Sequence, residues 1–218
     1  MWSVTFSAAS ATQCSGTIVA VGPVMIVARG SSGVVSEQGR SWPGRIHVLL
    51  LDRDGLLIEN VPYLSDPHLV RPIAGVGEAL DSARAAGLRL GVVTNQSGIG
   101  RGLVDEGAVE RVNQVVERAL GPFDVWMVCP HAPEHRCGCR KPAPGLLRRA
   151  AGELGVEPSG CAMVGDRATD LQAAARAGCL GILVPSADTT AQERRDAAVV
   201  VGKLGDAVEF VTSPEMAG

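Results

Sequence analysis

Apolar and polar residues fall in blocks along most of the chain, and the block lengths and spacings predict the elements. Ile46–Leu51 (IHVLLL) is a short apolar run that stops at Asp52, the pattern of a buried strand. Gly75–Ala86 carries Val76, Leu80 and Ala83 on one helical face and is closed by Gly87. Leu88–Val93 reads as the next strand. Asp105–Leu120 sets Val109, Val112, Val116 and Leu120 at helical spacing, which predicts a longer helix. Asp124–Val128 is a strand, and Pro144–Leu154 a helix stopped by Gly155. Cys161–Val164 is a strand running into Gly165-Asp166, followed by an Ala-rich helix, Ala168–Ala177, ending at Gly178. Gly181–Val184 and Ala198–Val201 read as two further strands, and Lys203–Val211 as a closing helix.

Regular alternation of strands and helices predicts an α/β domain over residues 45–213: a Rossmann-like open parallel sheet with helices on both faces. Residues 1–44 follow no such pattern. They are rich in Ser, Gly, Ala and Thr, and their apolar piece Thr17–Ala28 is broken by Gly22 and Pro23. A secretory leader begins with a basic segment, and Met1–Ala20 has no Lys or Arg. An irregular or disordered extension without function of its own is the expectation.

Composition narrows the partner classes. Aromatics are only 3% of the 218 residues against 46% hydrophobic overall, so the core must be built from Val, Leu, Ile and Ala. A net charge of −3 argues against a nucleic-acid footprint. No apolar run reaches the roughly 18 residues that span a bilayer. A cytoplasmic monomer acting on a small molecule is expected, with neither nucleic acid nor membrane as partner.

In open parallel sheets the chemistry sits beyond the carboxyl ends of the strands. Asp52 and Asp54 follow the first strand, Thr94 and Asn95 the second, Cys129 and His131 the third, and Gly165-Asp166 the fourth. Asp52 and Asp54 at one strand end repel each other unless a divalent cation intervenes, and Mg²⁺ prefers hard oxygen ligands. Asp166 and Asp170 supply further carboxylates. Thr94, Asn95 and Lys141 supply the donors and positive charge that a phosphate needs. A carboxylate nucleophile with a second carboxylate as acid and base would suit phosphoryl transfer.

DRDG after an apolar strand, VVTNQSG after a second, RKP downstream and MVGDRATD at the end resemble, in order, the four motifs of the haloacid dehalogenase superfamily. The resemblance covers roughly Arg45 to Val211 and implies an Mg²⁺-dependent phosphatase. By it, Asp52 is the nucleophile and a metal ligand, and Asp54 the general acid/base with its carbonyl on the metal. Thr94 and Asn95 contact phosphate and substrate, Lys141 binds the phosphate, Asp166 completes the metal ligands and Asp170 supports them. Leu56 departs from the Thr or Val usual in that family, a change that removes no catalytic group.

Three of the six cysteines crowd into one loop. Cys129-Pro-His131 and Cys137-Gly-Cys139 offer three thiolates and an imidazole, a closed tetrahedral set of the structural zinc kind, with His135 as a competing ligand. The loop is poor in apolar residues and leads directly into Arg140 and Lys141, so Zn²⁺ there would hold the lysine in place. Cys14 has no assigned role, and Cys161 and Cys179, on or beside expected strands, read as small hydrophobes.

With this loop, and with too few residues between Asp52 and Thr94 for a cap domain, the chain resembles the capless zinc-loop phosphatases of heptose bisphosphate and of histidinol phosphate. That implies a phosphorylated sugar or histidinol phosphate as substrate, with Arg140 and Arg101 as contacts. TNQSGIGRG (Thr94–Gly102) is more similar to the heptose enzymes, and GDRATD (Gly165–Asp170) to the histidinol ones. A catalytically silent, zinc-stabilised binding module is the rival from outside enzymology.

Overall fold

The structure is a computed structural model and describes residues 44–216. The extension expected over residues 1–44 therefore lies, but for Gly44, outside the described residues, as does Cys14. Five strands form one parallel sheet: β1 (Val48–Leu51), β2 (Arg89–Asn95), β3 (Val125–Cys129), β4 (Cys161–Gly165) and β5 (Leu180–Leu183). Their order is β3-β2-β1-β4-β5, with β1 central between β2 and β4. The helices are α1 (Val76–Ala85), α2 (Ser97–Gly100), α3 (Glu106–Leu120), α4 (Gly145–Glu153), α5 (Ala168–Ala177), α6 (Ala191–Asp196) and α7 (Leu204–Thr212).

All four residues of β1 are completely buried, and their alternation feeds two separate cores. Leu49 and Leu51 pack with residues of α1, α3 and α7 on one face. Val48 and Leu50 pack with α4 and α5 on the other. A strand buried on both faces needs a continuous apolar run, which is why IHVLLL reads as it does. The helices cover the sheet with stripes of Ala, Val and Leu. In α3, for example, Ala108, Val109, Val112, Val116 and Leu120 face inward, and Asp105 caps the first turn by accepting from Ala108 N–H.

The strand expected at Ala198–Val201 is a correction. The chain meets β5 at a single bridge: Leu183 N–H donates to Val199 O and Val201 N–H to Leu183 O, both at 2.9 Å. The next ladder bond would need an N–H at position 185, and Pro185 has none. The short helices α2 and α6 have too few turns to show apolar periodicity, and the pattern analysis did not predict them. Between β1 and α1 the chain forms loops and one short 3-10 turn, Pro67–Leu69, with no inserted domain. From central β1 the chain steps first to β2 and β3, then back across to β4 and β5. The crevice at that reversal lies between the ends of β1 and β4, where Asp52 and Asp166 emerge.

Candidate active site

Asp52 leaves β1 with its N–H donating to Val164 O of β4 at 3.0 Å, so the sheet ladder itself aims it into the crevice. The ammonium of Lys141, only 2% exposed, reaches the same point from beyond the cysteine-rich loop. Its Nζ lies 3.0 Å from Asp52 Oδ2 and 2.7 Å from Asp170 Oδ1, and donates to Val93 O at 2.7 Å. Asp166 is buried too, held by Ser186 Oγ donating to its Oδ2 and Thr189 Oγ1 donating to its carbonyl, both at 2.6 Å. Two glycines make room for these acids. A Cβ on Gly55, whose φ is +81°, would collide with Asp166, and one on Gly165 would collide with Asp170.

Charge decides what the crevice accepts. One ammonium faces three carboxylates, Asp52, Asp166 and Asp170, whose ligand oxygens lie within 4.8 Å of one another. Burial pushes the Asp52 carboxyl up to about 8; Lys141 pulls it back, while Asp170 and Asp54 add to the rise. Burial likewise raises Asp166 against the bond from Ser186. For Lys141 the desolvation penalty is outweighed by Asp170 and Asp52, which hold it above the usual lysine range. Hard oxygen donors with excess negative charge fit a divalent cation such as Mg²⁺. Asp170 belongs to this group, but its oxygens are already engaged, Oδ1 by Lys141 and Oδ2 by the N–H of Arg167 at 3.1 Å.

Asp54 sits beside this centre and is gripped by its neighbour. Arg53 Nε and NH2 lie 3.0–3.2 Å from both Asp54 oxygens, and Gln96 Nε2 donates to Asp54 Oδ2 at 2.8 Å. Gln96 Nε2 also reaches Thr94 Oγ1 at 2.8 Å, so Thr94, 1% exposed, lies in the same network. The motif reading passed over Arg53, Gln96, Ser186 and Thr189. A charged side chain between two acids looks like a solvated turn residue until its burial is seen.

Asn95, expected on the substrate, has partners within the fold: its amide donates to Lys141 O and accepts from Lys141 N–H, both at 3.0 Å. Both hydrogen-bonding ends of the side chain therefore fix the lysine's backbone.

In the cysteine–histidine loop, Cys129, His131, Cys137 and Cys139 converge. Sγ–Sγ distances are 3.3–3.7 Å, and His131 Nδ1 is 3.2 Å from Cys139 Sγ and 3.7 Å from Cys129 Sγ. The edges of a tetrahedron around zinc are about 3.5–3.8 Å for thiolate and imidazole ligands, so the donors fit. Burial raises the Cys129 thiol to about 12, which disfavours a thiolate unless a cation joins it. His131, rather than His135, lies in the cluster with the three cysteines. His135 is exposed and uses Nδ1 to accept from Ala132 N–H at 3.3 Å. Arg140 N–H donates to Cys137 Sγ at 3.3 Å, and Arg140 NH1 donates to His131 O at 3.3 Å, tying the loop to the residue before Lys141. Arg101 stands further out, donating to Tyr63 Oη at 2.8 Å and 3.7 Å from Glu134.

Known proteins are similar to this chain in sequence and fold. The HAD-hydrolase-like family model matches residues 138–207. D-glycero-beta-D-manno-heptose-1,7-bisphosphate 7-phosphatase of Pseudomonas aeruginosa is 38% identical over 63% of this chain and 80% of its own length. The enzyme of the same name from Haemophilus ducreyi is 35% identical over 75% of this chain and 97% of its own. Among solved structures, D,D-heptose 1,7-bisphosphate phosphatase from Bordetella bronchiseptica, complexed with magnesium and phosphate, superposes with a TM-score of 0.70 at 31% identity. It covers 76% of this chain and 98% of that one. With this crevice at the sheet's reversal point and relatives matched over most of their length, the chain belongs to the haloacid dehalogenase-like hydrolase family, in its phosphatase branch.

Proposed function

We propose that this chain hydrolyses D-glycero-D-manno-heptose 1,7-bisphosphate at the 7-phosphate, using Asp52 as nucleophile. The observation that carries the reading is the shared ammonium of Lys141. It joins Asp52 Oδ2 to Asp170 in a water-poor crevice, where it would also neutralise an incoming phosphate. The names of the relatives support the heptose over histidinol phosphate.

In the first half-reaction an Asp52 oxygen attacks phosphorus, and the bond from phosphorus to the sugar oxygen breaks. Asp54 gives that oxygen its proton. In the second, Asp54 takes a proton from water, whose oxygen attacks the aspartyl-phosphate and frees Asp52 and inorganic phosphate. Thr94, near Asp54, would be a donor for the phosphate, and Arg140, next to Lys141 in the chain, and Arg101 would contact the rest of the substrate. Asp52, Asp166 and the Asp54 carbonyl would hold Mg²⁺, which supplies charge neutralisation for the phosphoryl group. Cys129, His131, Cys137 and Cys139 would hold a structural Zn²⁺ that fixes the segment before Lys141. A silent binding module would not need a buried nucleophile, lysine and acid arranged in this way.

The test is phosphate release from heptose 1,7-bisphosphate and histidinol phosphate, with Mg²⁺ and with EDTA. Mg²⁺-dependent turnover of the heptose at the higher kcat/KM is expected. A preference for histidinol phosphate would overturn the substrate, and no release from either in zinc-loaded protein would favour the silent module.

A further inference from the structure

An asparagine on the buried face of an apolar helix needs a reason. Asn113 lies in α3 between the inward-facing Val112 and Val116 and is only 5% exposed. Its Oδ1 accepts from Arg53 NH1 at 2.7 Å. Arg53 is the residue between the two motif aspartates and is itself 1% exposed. Burying a guanidinium is costly unless its donors are matched. Here every direction of the fork is used: NH1 on Asn113, and Nε and NH2 on the two oxygens of Asp54.

We propose that Arg53, anchored from α3 by Asn113, is a positioning residue that holds the Asp54 carboxyl for proton transfer to and from the reacting oxygen. The inference rests on the assignment of Asp54 as general acid and base.

Asp54 lies shortly after β1, where its backbone forms an isolated bridge with Ile58, and its side chain would be free to turn about χ1. Arg53 restricts it as a point charge cannot, because Nε and NH2 each lie 3.0–3.2 Å from both Asp54 oxygens and hold the carboxyl through two nitrogens fixed in one plane. Gln96 Nε2 adds a third direction and links the same carboxyl to Thr94. Each Asp54 oxygen is within reach of both nitrogens, so one stays bonded while the other carries the proton. The device therefore serves both half-reactions without contact between Arg53 and the substrate. The anchor matters as much as the fork. Without Asn113, NH1 would be left without its acceptor in an apolar layer, and the guanidinium would shift toward water.

A merely structural role and a positioning role predict different dependence on the leaving group. A sugar alkoxide needs a proton as it departs, whereas p-nitrophenolate leaves without one. We would measure kcat and KM for a sugar phosphate and for p-nitrophenyl phosphate in the wild type, Asp54→Asn, Arg53→Lys and Asn113→Leu, and check folding by thermal melting.

Asp54→Asn sets the scale and should lose about 10²–10⁴-fold in kcat on the sugar phosphate and much less on the aryl phosphate. Arg53→Lys keeps the charge and loses the fork. It should lose about 10–100-fold on the sugar phosphate, with KM little changed and the same sparing of the aryl phosphate. Asn113→Leu, remote from the substrate, should follow Arg53→Lys more weakly. Equal losses on both substrates in the Arg53 and Asn113 variants, with Asp54→Asn still selective, would overturn this inference alone. Equal losses in Asp54→Asn would overturn the acid–base assignment beneath it.

Discussion

The carboxylate–lysine centre and the cysteine–histidine loop meet at Arg140-Lys141, yet they are built in opposite ways. The loop draws its four candidate ligands from the single segment Cys129–Cys139, in which Cys129 and Ala132 alone are fully buried. The centre draws Asp52, Thr94, Lys141 and Asp166 from distant stretches, with Thr94, Lys141 and Asp166 buried, at the ends of strands packed between two apolar cores. The sheet would hold the centre's shape even if its chemistry were removed. The loop has almost no core, so a metal would have to do for it what packing does for the centre. One region is chemistry resting on a fold, and with zinc bound the other would be local folding resting on chemistry.

The most severe test of that contrast is Asp52→Asn. Phosphate release should fall at least about 10³-fold, since the nucleophile is gone. The melting temperature should hold or rise, because a carboxyl whose burial already pushes it up to about 8 is replaced by a neutral amide. Substantial residual turnover, or a collapse in stability, would break the claim that the sheet carries the centre.

Cys137→Ser should do the reverse. Zinc measured by elemental analysis should fall, with a loss of stability on the order of 2 kcal/mol that chelation reproduces in the wild type. Full zinc content in the variant would break the loop assignment.

The smallest effect comes from a third carboxylate, Glu193, whose surroundings invert those of Asp52. It accepts from Ala168 N–H, from Thr190 N–H and Oγ1, and from Arg167 Nε, at 2.8–3.1 Å. These bonds, that of Ala168 foremost, lower it from 4.5 to about 2. A depressed folded value contributes stability above the unfolded value, and that contribution fades as pH falls from 4.5 toward about 2. Glu193→Gln should cost about 1 kcal/mol at neutral pH, the group being close to solvent, and less as pH drops through 4 and 3. Denaturation curves across that range would read it. A difference that stays constant with pH would show that charge contributes nothing at that site.

Much of this was legible in the chain. Short apolar runs ending in Asp, Thr or Gly-Asp located β1, β2 and β4, because a strand buried on both faces leaves no choice but Val, Leu, Ile and Ala. Motif spacing picked out Asp52, Asp54, Thr94, Lys141, Asp166 and the four zinc-loop residues before their convergence was visible. Asn95 is an example of what the chain leaves open, since a polar residue at a strand end is equally suited to a ligand or to a neighbouring backbone. The backbone it bonds, that of Lys141, is 46 positions away. Arg53 and Asn113 were passed over for the same cause, being 60 positions apart in sequence.

By itself the sequence determined which segments are buried and which residue types stand at the strand ends, since hydrophobic period and composition act locally. It determined the candidate zinc ligands too, which lie in one short stretch. Only the tertiary structure decided how the polar groups pair: Lys141 with both Asp52 and Asp170, Asn95 with the backbone of Lys141, and Arg53 with Asp54 and Asn113. Hydrogen bonds and ion pairs depend on distances of a few ångströms between residues far apart in the chain. Only the assembled sheet, with its loops and covering helices, sets those distances.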